Sequence, residues 1–161
     1  MAPLSTDPFK AALGRFATGV TIVTARGTDG VPVGLTVNSF NSVSLTPPLV
    51  LWSLSHTSSA LSVFAHARHY AIHVLSAQQK DLAVRFASKG VDRWADVVHA
   101  DNEHGVPLID GAIATFECTA RSQYAEGDHL IFVSEVTRCS HRVEQRPLLY
   151  HGGRFYTEHP L

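Results

Sequence analysis

Two long strand-like segments in the second half of the chain constrain its fold more than any other feature. Residues 112–124 and 129–141 are rich in β-branched and aromatic residues, and the four residues between them, Ala125-Glu126-Gly127-Asp128, favour a turn. Shorter segments of the same character recur elsewhere, separated by turn residues or short helical patterns. Because so many strands would leave exposed edges in a flat sheet, we expect a closed or nearly closed antiparallel β-barrel with peripheral helices.

The other elements follow from hydrophobic spacing and turn residues. Further strands are predicted over residues 20–25, 31–37, 42–45, 49–54 and 70–75, with a last hairpin over 148–156 around Gly152-Gly153. Helices are predicted over residues 7–16, 58–67 and 78–86, where apolar side chains recur at helical spacing. Residues 88–111 show weak periodicity and are predicted to be irregular, pinned to the body by Trp94, Val97 and Val98.

Length and composition exclude several classes of protein. The 161 residues suit one domain spanning 1–161, and 13 basic against 14 acidic residues give no positive field for a nucleic-acid partner. No leader pattern opens the chain and no apolar run approaches the ~20 residues that cross a bilayer, so we expect a cytoplasmic protein without membrane association. Cys118 and Cys139 lie far from any paired-cysteine spacing, and we expect both to be reduced and largely buried.

Short polar side chains are concentrated between two apolar segments in the first third of the chain. Six of the nine positions from 36 to 44 are of this kind: Thr36, Asn38, Ser39, Asn41, Ser42 and Ser44. Such residues can satisfy the backbone of a polar turn, or they can meet the polar edge of a ligand such as a flat ring. Both interpretations remain open from composition.

A second group of hydroxyl residues follows the predicted strand 49–54. Ser53, Ser55, Ser58 and Ser59 precede or open the predicted helix 58–67. A helix N-terminus preceded by hydroxyls can bind an anion such as a phosphate, but Ser58 or Ser59 can equally serve as a helix cap.

Basic residues lie at the end of the predicted helix 78–86. Arg85 or Lys89 would supply the positive charge that a phosphate needs, and a guanidinium can bind it through two hydrogen bonds. The alternative is a solvated cation at a helix C-terminus.

Gly127-Asp128-His129 is the sharpest motif of the second half. Because neighbouring strand residues point to opposite faces, we expect Asp128 and His129 to have separate roles, with Asp128 shaping the turn. His129 at the start of a strand is either a functional imidazole or a surface residue. The chain has ten histidines, but none lies in a metal-binding pattern such as HExxH, so we expect no metal site. No GxGxxG motif follows a strand, which argues against a Rossmann unit.

Together these segments resemble the flavin reductase family, the small reductases that supply reduced flavin to two-component monooxygenases. The matching positions are Thr36, Asn38, Ser39 and Phe40, then Ser42-Val43-Ser44-Leu45, Pro47-Pro48-Leu49-Val50, Phe86-Ala87 and Gly127-Asp128-His129. The resemblance implies a split antiparallel β-barrel that binds FMN or FAD, with peripheral helices. It also implies a homodimer with the flavin sites near the subunit interface.

The activity implied by this resemblance is NAD(P)H-dependent reduction of FMN or FAD, with hydride transfer from the nicotinamide to flavin N5. Reduced flavin would then diffuse to a flavin-dependent oxygenase. In such an enzyme Thr36, Asn38 and Ser39 would touch the ring edge, while Phe40 would contact the ring or belong to the core. His129 would face the nicotinamide. The flavin tail would meet the following residues: Ser53, Ser55, Ser58, Ser59, Arg85, Phe86, Ala87 and Lys89.

One departure and two rival functions qualify the resemblance. Many relatives have asparagine or arginine near residues 55–57, where this chain has Ser55 and His56. The rivals are a flavin-binding barrel protein that stores or carries the cofactor without catalysis, and a haem-binding or haem-degrading relative of the same barrel.

Overall fold

The computed structural model describes residues 3–161, so the first two residues of the predicted domain lie outside it. Within that range the helices are α1 (Thr6–Leu13), α2 (Leu61–His66) and α3 (Lys80–Ala87), and a 3-10 turn (Ala77–Gln79) precedes α3. The strands of the same range are β1 (Thr18–Gly19), β2 (Thr21–Arg26), β3 (Pro32–Val37), β4 (Asn41–Leu45), β5 (Pro48–Ser55), β6 (His69–Val74), β7 (His99–Asp101), β8 (Pro107–Ile109), β9 (Ala114–Glu126), β10 (His129–His141), β11 (Leu149–His151) and β12 (Arg154–Tyr156).

A seven-stranded antiparallel sheet forms the body, in the order β3-β2-β6-β9-β10-β5-β4. The 13-residue strands β9 and β10 form its centre, and two irregularities in their register bend them. No ladder of the described residues joins the end strands β3 and β4, so the barrel is split and not closed. The predicted mainly β class with a split antiparallel barrel and peripheral helices is thereby confirmed.

Aromatic packing fills the barrel interior. Trp52 on β5 stacks on Phe132 of β10 with ring centroids 4.5 Å apart, and the edges of Phe64 and Tyr70 close around it. These four side chains are fully or almost fully buried. Burial of such large rings stabilises the sheet.

A second cluster of apolar side chains anchors α3 to the outside of the sheet. Ala83 and Phe86 of α3 are fully buried against Ile22, Leu75 and Leu148. These contacts fix the position of the end of α3 and of the loop that follows it, and that loop borders the site described below.

The structure corrects four details of the sequence prediction. The first helix ends at Leu13, with Gly14 as its C-cap, and does not reach residue 16. The second begins at Leu61, because Ser58 and its neighbours form a turn in which the Ser58 N–H donates to the Ser55 carbonyl. Residues 88–111 are not wholly irregular, since β7 and β8 pair there.

The fourth correction concerns the cysteines. Cys118 is buried as expected, but Cys139 is exposed, because the end of β10 is exposed from residue 137 onward. The structure has no disulfide within residues 3–161. Among the same residues no helix has both the length and the apolar character needed to cross a bilayer.

Candidate functional site

Three adjoining cavities on one side of the barrel form a continuous groove, and Thr36 on β3 lines all three. The hydroxyl cavity, of about 660 Å³, lies between residues 55–59 and residues 86–93. The apolar cavity, of about 420 Å³, lies between α3 and the last hairpin. The rim cavity, of about 240 Å³, lies where β3 and β5 approach the start of β10.

Most of the predicted residues are brought together in this groove. The hydroxyl cavity is lined by Ser55, Ser58, Ser59, Phe86, Ala87 and Lys89, and the rim cavity by Asn38, Ser39, Ser53 and His129. These positions come from three distant parts of the chain, and the sheet order β10-β5-β4 joins two of them. His129 on β10 pairs directly with Ser55 on β5.

The hydroxyl groups on the floor of the groove are used within the protein. Thr36 Oγ1 donates a 2.6 Å hydrogen bond to the Ala83 carbonyl of α3. Ser39 Oγ accepts from the Ser53 N–H at 2.9 Å and donates to the Ser53 carbonyl at 3.2 Å. Since Asn41 pairs with Leu51, Ser39 continues that register opposite Ser53, and its hydroxyl replaces a backbone partner of β5. The hydroxyls of Thr36 and Ser39 are therefore satisfied by α3 and β5, and not within a self-contained turn.

Asn38 and Phe40 have opposite surroundings. The exposed Asn38 lines both the apolar and the rim cavities, so its amide is available to a ligand. Phe40 stacks on Phe116 with centroids 5.4 Å apart and packs against the barrel core. It lines none of the three cavities, which favours the core position over contact with the predicted ring.

His129 and Asp128 form one unit, contrary to the expectation of separate roles. His129 Nδ1 donates a 2.7 Å hydrogen bond to Asp128 Oδ1. Alternation along a strand does not separate the two side chains, because Asp128 lies in the turn before β10. This hydrogen bond lowers the pKa of the Asp128 carboxyl below its usual range. With Nδ1 engaged, Nε2 is the ring nitrogen left for a ligand in the rim cavity.

Of the two predicted cations, one lines the groove and the other does not. The Arg85 guanidinium donates to the Ala95 carbonyl, and Arg85 does not line the groove. Lys89 lines the hydroxyl cavity as predicted. Arg93 also lines it, and sequence reasoning missed this residue because it lies in the segment of weak periodicity.

The last hairpin supplies the other residues that sequence reasoning missed. Tyr150, Gly153 and Phe155 line the apolar cavity opposite Ala83 and Val84 of α3. The aromatic residues around Gly152-Gly153 were the available signal, but pairing of β11 with β1 decides where the hairpin lies.

The charges of the groove favour an anionic ligand. The lining of the three cavities includes Lys89 and Arg93 and no carboxylate. Neither cation forms a salt bridge with another group in the described part of the chain. The histidines give no sign of a metal centre, since no group of three potential ligands comes together within residues 3–161.

Comparison with known proteins decides the family. Residues 13–159 match the family model described as a flavin reductase like domain. The chain belongs to the flavin reductase-like family. The split barrel described above is therefore the fold of a flavin reductase-like chain.

Individual relatives agree with this assignment. The chain is 50% identical over 147 residues to the FMN reductase (NADH) SmoA of Agrobacterium fabrum, covering 91% of this chain and 83% of that protein. It is 48% identical over 125 residues to the reductase component of a flavin-dependent trigonelline monooxygenase of Acinetobacter baylyi, covering 78% of this chain but only 40% of that longer protein.

A solved structure shows the same architecture. The NADH:FAD oxidoreductase SgcE6 of Streptomyces globisporus, in complex with NAD and FAD fragments, superposes with a TM-score of 0.90 at 38% identity. The match covers 99% of this flavin reductase-like chain and 98% of that one.

Proposed function

We propose that this protein is an NAD(P)H-dependent flavin reductase that transfers a hydride from the nicotinamide to N5 of FMN or FAD. Reduced flavin would then leave for a flavin-dependent oxygenase. The observation that carries the proposal is the three-part groove that meets at Thr36, in a chain of the flavin reductase-like family. The reductase names of SmoA and of the trigonelline monooxygenase component support it.

The chemistry of the groove fits a flavin. A flavin combines a flat ring, apolar on one side and polar on the other, with a phosphate-bearing tail. The hydroxyl cavity offers hydroxyls and the cations Lys89 and Arg93, as a phosphate requires. The apolar cavity offers Tyr150 and Phe155 to the apolar part of a ring, and the rim cavity offers Asn38 and His129 to a polar edge.

The role of the protein in this reaction is orientation. Bound flavin supplies the hydride acceptor, and the nicotinamide must lie parallel to it at about 3–3.5 Å. In this proposal His129 hydrogen-bonds the nicotinamide through Nε2, and the hydrogen bond of its Nδ1 to Asp128 supports that role. No proton transfer by the protein is required, which agrees with a groove lining that contains no carboxylate.

We also propose that the chain works as a homodimer. Helix α1 buries none of its side chains, and Phe9, Leu13 and Phe16 are each more than half exposed. Apolar side chains grouped in this way are typical of a surface that a second copy covers. Sedimentation at micromolar concentration tests this point, and a monomer at every concentration would contradict it.

We place the protein in the cytoplasm, as one flavin reductase-like domain. Two free cysteines and no disulfide within the described residues suit a reducing compartment. Labelling of the exposed Cys139 in intact cells by a permeant but not by an impermeant thiol reagent is the expected result.

Steady-state turnover tests the central proposal. NADH oxidation should rise with added FMN, FAD or riboflavin and should stop without flavin. Tight flavin binding without NADH oxidation would instead favour a carrier. A haem absorbance spectrum in the purified protein would favour the haem-binding alternative.

A further inference from the structure

We propose that a further cavity, separate from the groove, binds the phosphate monoester of a small organic molecule. This basic cavity, of about 510 Å³, lies between the turn that joins β2 to β3 and the segment of α2 and the residues after it. Its volume lies in the range of small-molecule sites. None of its lining residues lines the groove, and the lining includes Arg26, Thr28, Ser62, Val63, His66 and Arg68.

The basic cavity lies toward the opposite end of β2 and β3 from the groove. Thr36, which lines the groove, pairs with Ile22 of β2, whereas Pro32 at the start of β3 pairs with Arg26. The step of four residues from Ile22 to Arg26 spans about 13 Å of strand. A small ligand in the basic cavity would therefore not occupy the groove.

Positive charge dominates the lining of the basic cavity. Its ionisable side chains are Arg26, His66 and Arg68, and no carboxylate lines it. The charge of Arg26 is compensated, since one terminal nitrogen donates to Asp101 Oδ1 of β7 at 2.6 Å. Arg68 forms no salt bridge with any group of residues 3–161. A concave surface that carries an uncompensated positive charge favours an anionic ligand.

Arg26 provides donors with a defined direction. Its Nε donates to the Gly105 carbonyl and one terminal nitrogen to the Gly30 carbonyl, both at 2.7 Å, while the other terminal nitrogen is held by Asp101. These bonds use three of the five N–H groups of the guanidinium, so one on each terminal nitrogen remains. Arg26 is half-buried, whereas Arg68 is exposed and adds charge. The two arginines thus supply orientation and attraction respectively.

The other polar groups favour a phosphate over a carboxylate. Thr28 and Ser62 add a hydroxyl from each side of the cavity. His66 Nδ1 donates to the Ser62 carbonyl at 2.8 Å, so Nε2 is the ring nitrogen left for a ligand. This nitrogen accepts a hydrogen bond in the neutral ring and donates one in the charged ring.

A phosphate monoester matches this set of groups. It presents three oxygens and, with a second pKa near about 6, both ionised and protonated forms close to neutral pH. A carboxylate has two oxygens and one charge, too few for two guanidinium groups, two hydroxyls and an imidazole. The half-buried Val63 and Ala67 offer an apolar surface to the organic part of the ligand.

Three small aromatic probes test the site: phenyl phosphate, benzoate and phenol share a ring and differ in their charge. NMR titration of isotope-labelled protein locates the binding through amide shifts and gives the dissociation constants. Phenyl phosphate should shift the amides of Gly27, Thr28 and Ser62 with saturation, benzoate should bind about tenfold more weakly, and phenol should not saturate. Shifts confined to groove residues such as Ser58 and Lys89, or benzoate binding as tight as that of phenyl phosphate, would overturn the proposal.

A matched pair of arginine variants distinguishes a site from general attraction. Arg68→Gln removes the uncompensated charge and should weaken phenyl phosphate binding about tenfold. Arg138→Gln removes an arginine that is also exposed, on β10, and should leave the constant unchanged. Both positions are exposed, so we expect both variants to fold. Equal constants for the two variants would mean that the protein attracts the anion without a specific site, and the proposal fails.

The basic cavity is tested independently of the proposed function. The titration uses neither flavin nor NADH, so a protein without reductase activity can still bind phenyl phosphate there. Conversely, an active reductase without these amide shifts would contradict the basic cavity alone.

Discussion

Polar side chains are used differently on the floor of the groove, formed by Thr36 and Ser39, and on its outer wall, formed by residues 55–59 and 86–93. On the floor, the hydroxyls of Thr36 and Ser39 are bound to backbone groups of α3 and β5. On the wall, Lys89 and Arg93 form no salt bridge within the described residues, although Arg93 is held by the backbone. The polar run of residues 36–39 thus forms the floor, whereas the loop of weak periodicity after α3 supplies the cations of the wall.

The floor continues into the sheet as a row of paired residues. Ile22 on β2 pairs with Thr36 on one side and with His73 of β6 on the other. His73 is fully buried, and both of its ring nitrogens are used: Nδ1 donates to the Ile22 carbonyl at 3.0 Å, and Nε2 accepts from the Ile109 N–H at 3.1 Å. Substitutions on the floor should therefore change stability, and substitutions on the wall should change ligand affinity.

The largest expected effect is a pH dependence of stability from His73. Burial lowers its pKa from 6.5 to about 4 in the folded protein. Between these values the unfolded chain binds a proton that the folded protein does not, so stability rises with pH across this window. From pH 6.5 down to pH 4 the free energy of unfolding should fall by up to about 3 kcal/mol. Urea unfolding at a series of pH values measures it.

A matched pair of variants assigns this slope to the buried imidazole. His73→Gln should flatten the dependence between pH 4 and 6.5, at the cost of lower stability at pH 7. The exposed His141→Gln on β10 should leave the slope unchanged. A wild-type slope in His73→Gln would show that other groups, such as His69, whose pKa burial also lowers, dominate.

The second prediction concerns the contact of Gly34 on β3 with Phe86 and Trp94, which lie beside the outer wall of the groove. A Cβ at Gly34 would lie 2.7 Å from Phe86 Cε1 and 3.2 Å from Trp94 Cζ2, too close for either ring to remain in place. Gly34→Ala should therefore lower stability by about 2 kcal/mol and Tm by roughly 4–8 °C. Gly19→Ala is the control, because its Cβ would meet no atom within 4 Å. Equal melting temperatures for the two variants would mean that the loop is not packed against β3 as described.

The same comparison shows which parts of the molecule could be predicted from sequence. Strands such as β2, β3, β9 and β10 follow from local alternation and turn residues, and their predicted positions were correct to within a few residues. His129 could be singled out because its turn and strand are continuous in sequence. Local patterns of this kind suffice for elements and for motifs that fold within one hairpin.

Side chains that depend on tertiary packing could not be predicted. Arg93 reaches the groove only because its loop is clamped onto Gly34, and Phe155 only because β11 pairs with β1. That Arg93 lines the groove and Arg85 does not depends on how the loop of residues 88–93 packs against β3. None of these relations has a signature in a single sequence.

The third prediction tests the rim cavity. There the His129 side chain is half exposed, and its Nε2 forms no hydrogen bond within the described residues. His129→Ala should raise KM for NADH about tenfold, the effect of one lost hydrogen bond in an oriented site, and change the flavin dissociation constant by less than about twofold. His141→Ala on the far end of the same strand is the control. An unchanged KM for NADH would remove His129 from the nicotinamide side.

The smallest expected effect distinguishes floor from wall most directly. Thr36→Val keeps the shape of the side chain but removes the hydrogen bond to the Ala83 carbonyl, which should lower stability by about 1 kcal/mol. Flavin affinity should change little, because this hydroxyl is already engaged. Thr57→Val on the wall should do the reverse, weakening FMN binding a few fold without a loss of stability, since its hydroxyl contacts only Ser55 at an exposed site.

Denaturation and FMN titration of these two variants form one experiment with four readings. If Thr36→Val weakens FMN binding more than Thr57→Val does, the Thr36 hydroxyl must exchange its partner in α3 for the ring when flavin binds. The floor would then be part of the binding surface, and breaking the bond to Ala83 would be a cost of binding flavin. If only stability changes, the polar segment from residue 36 to residue 39 acts chiefly as structure, and the ligand is held from the wall and the rim.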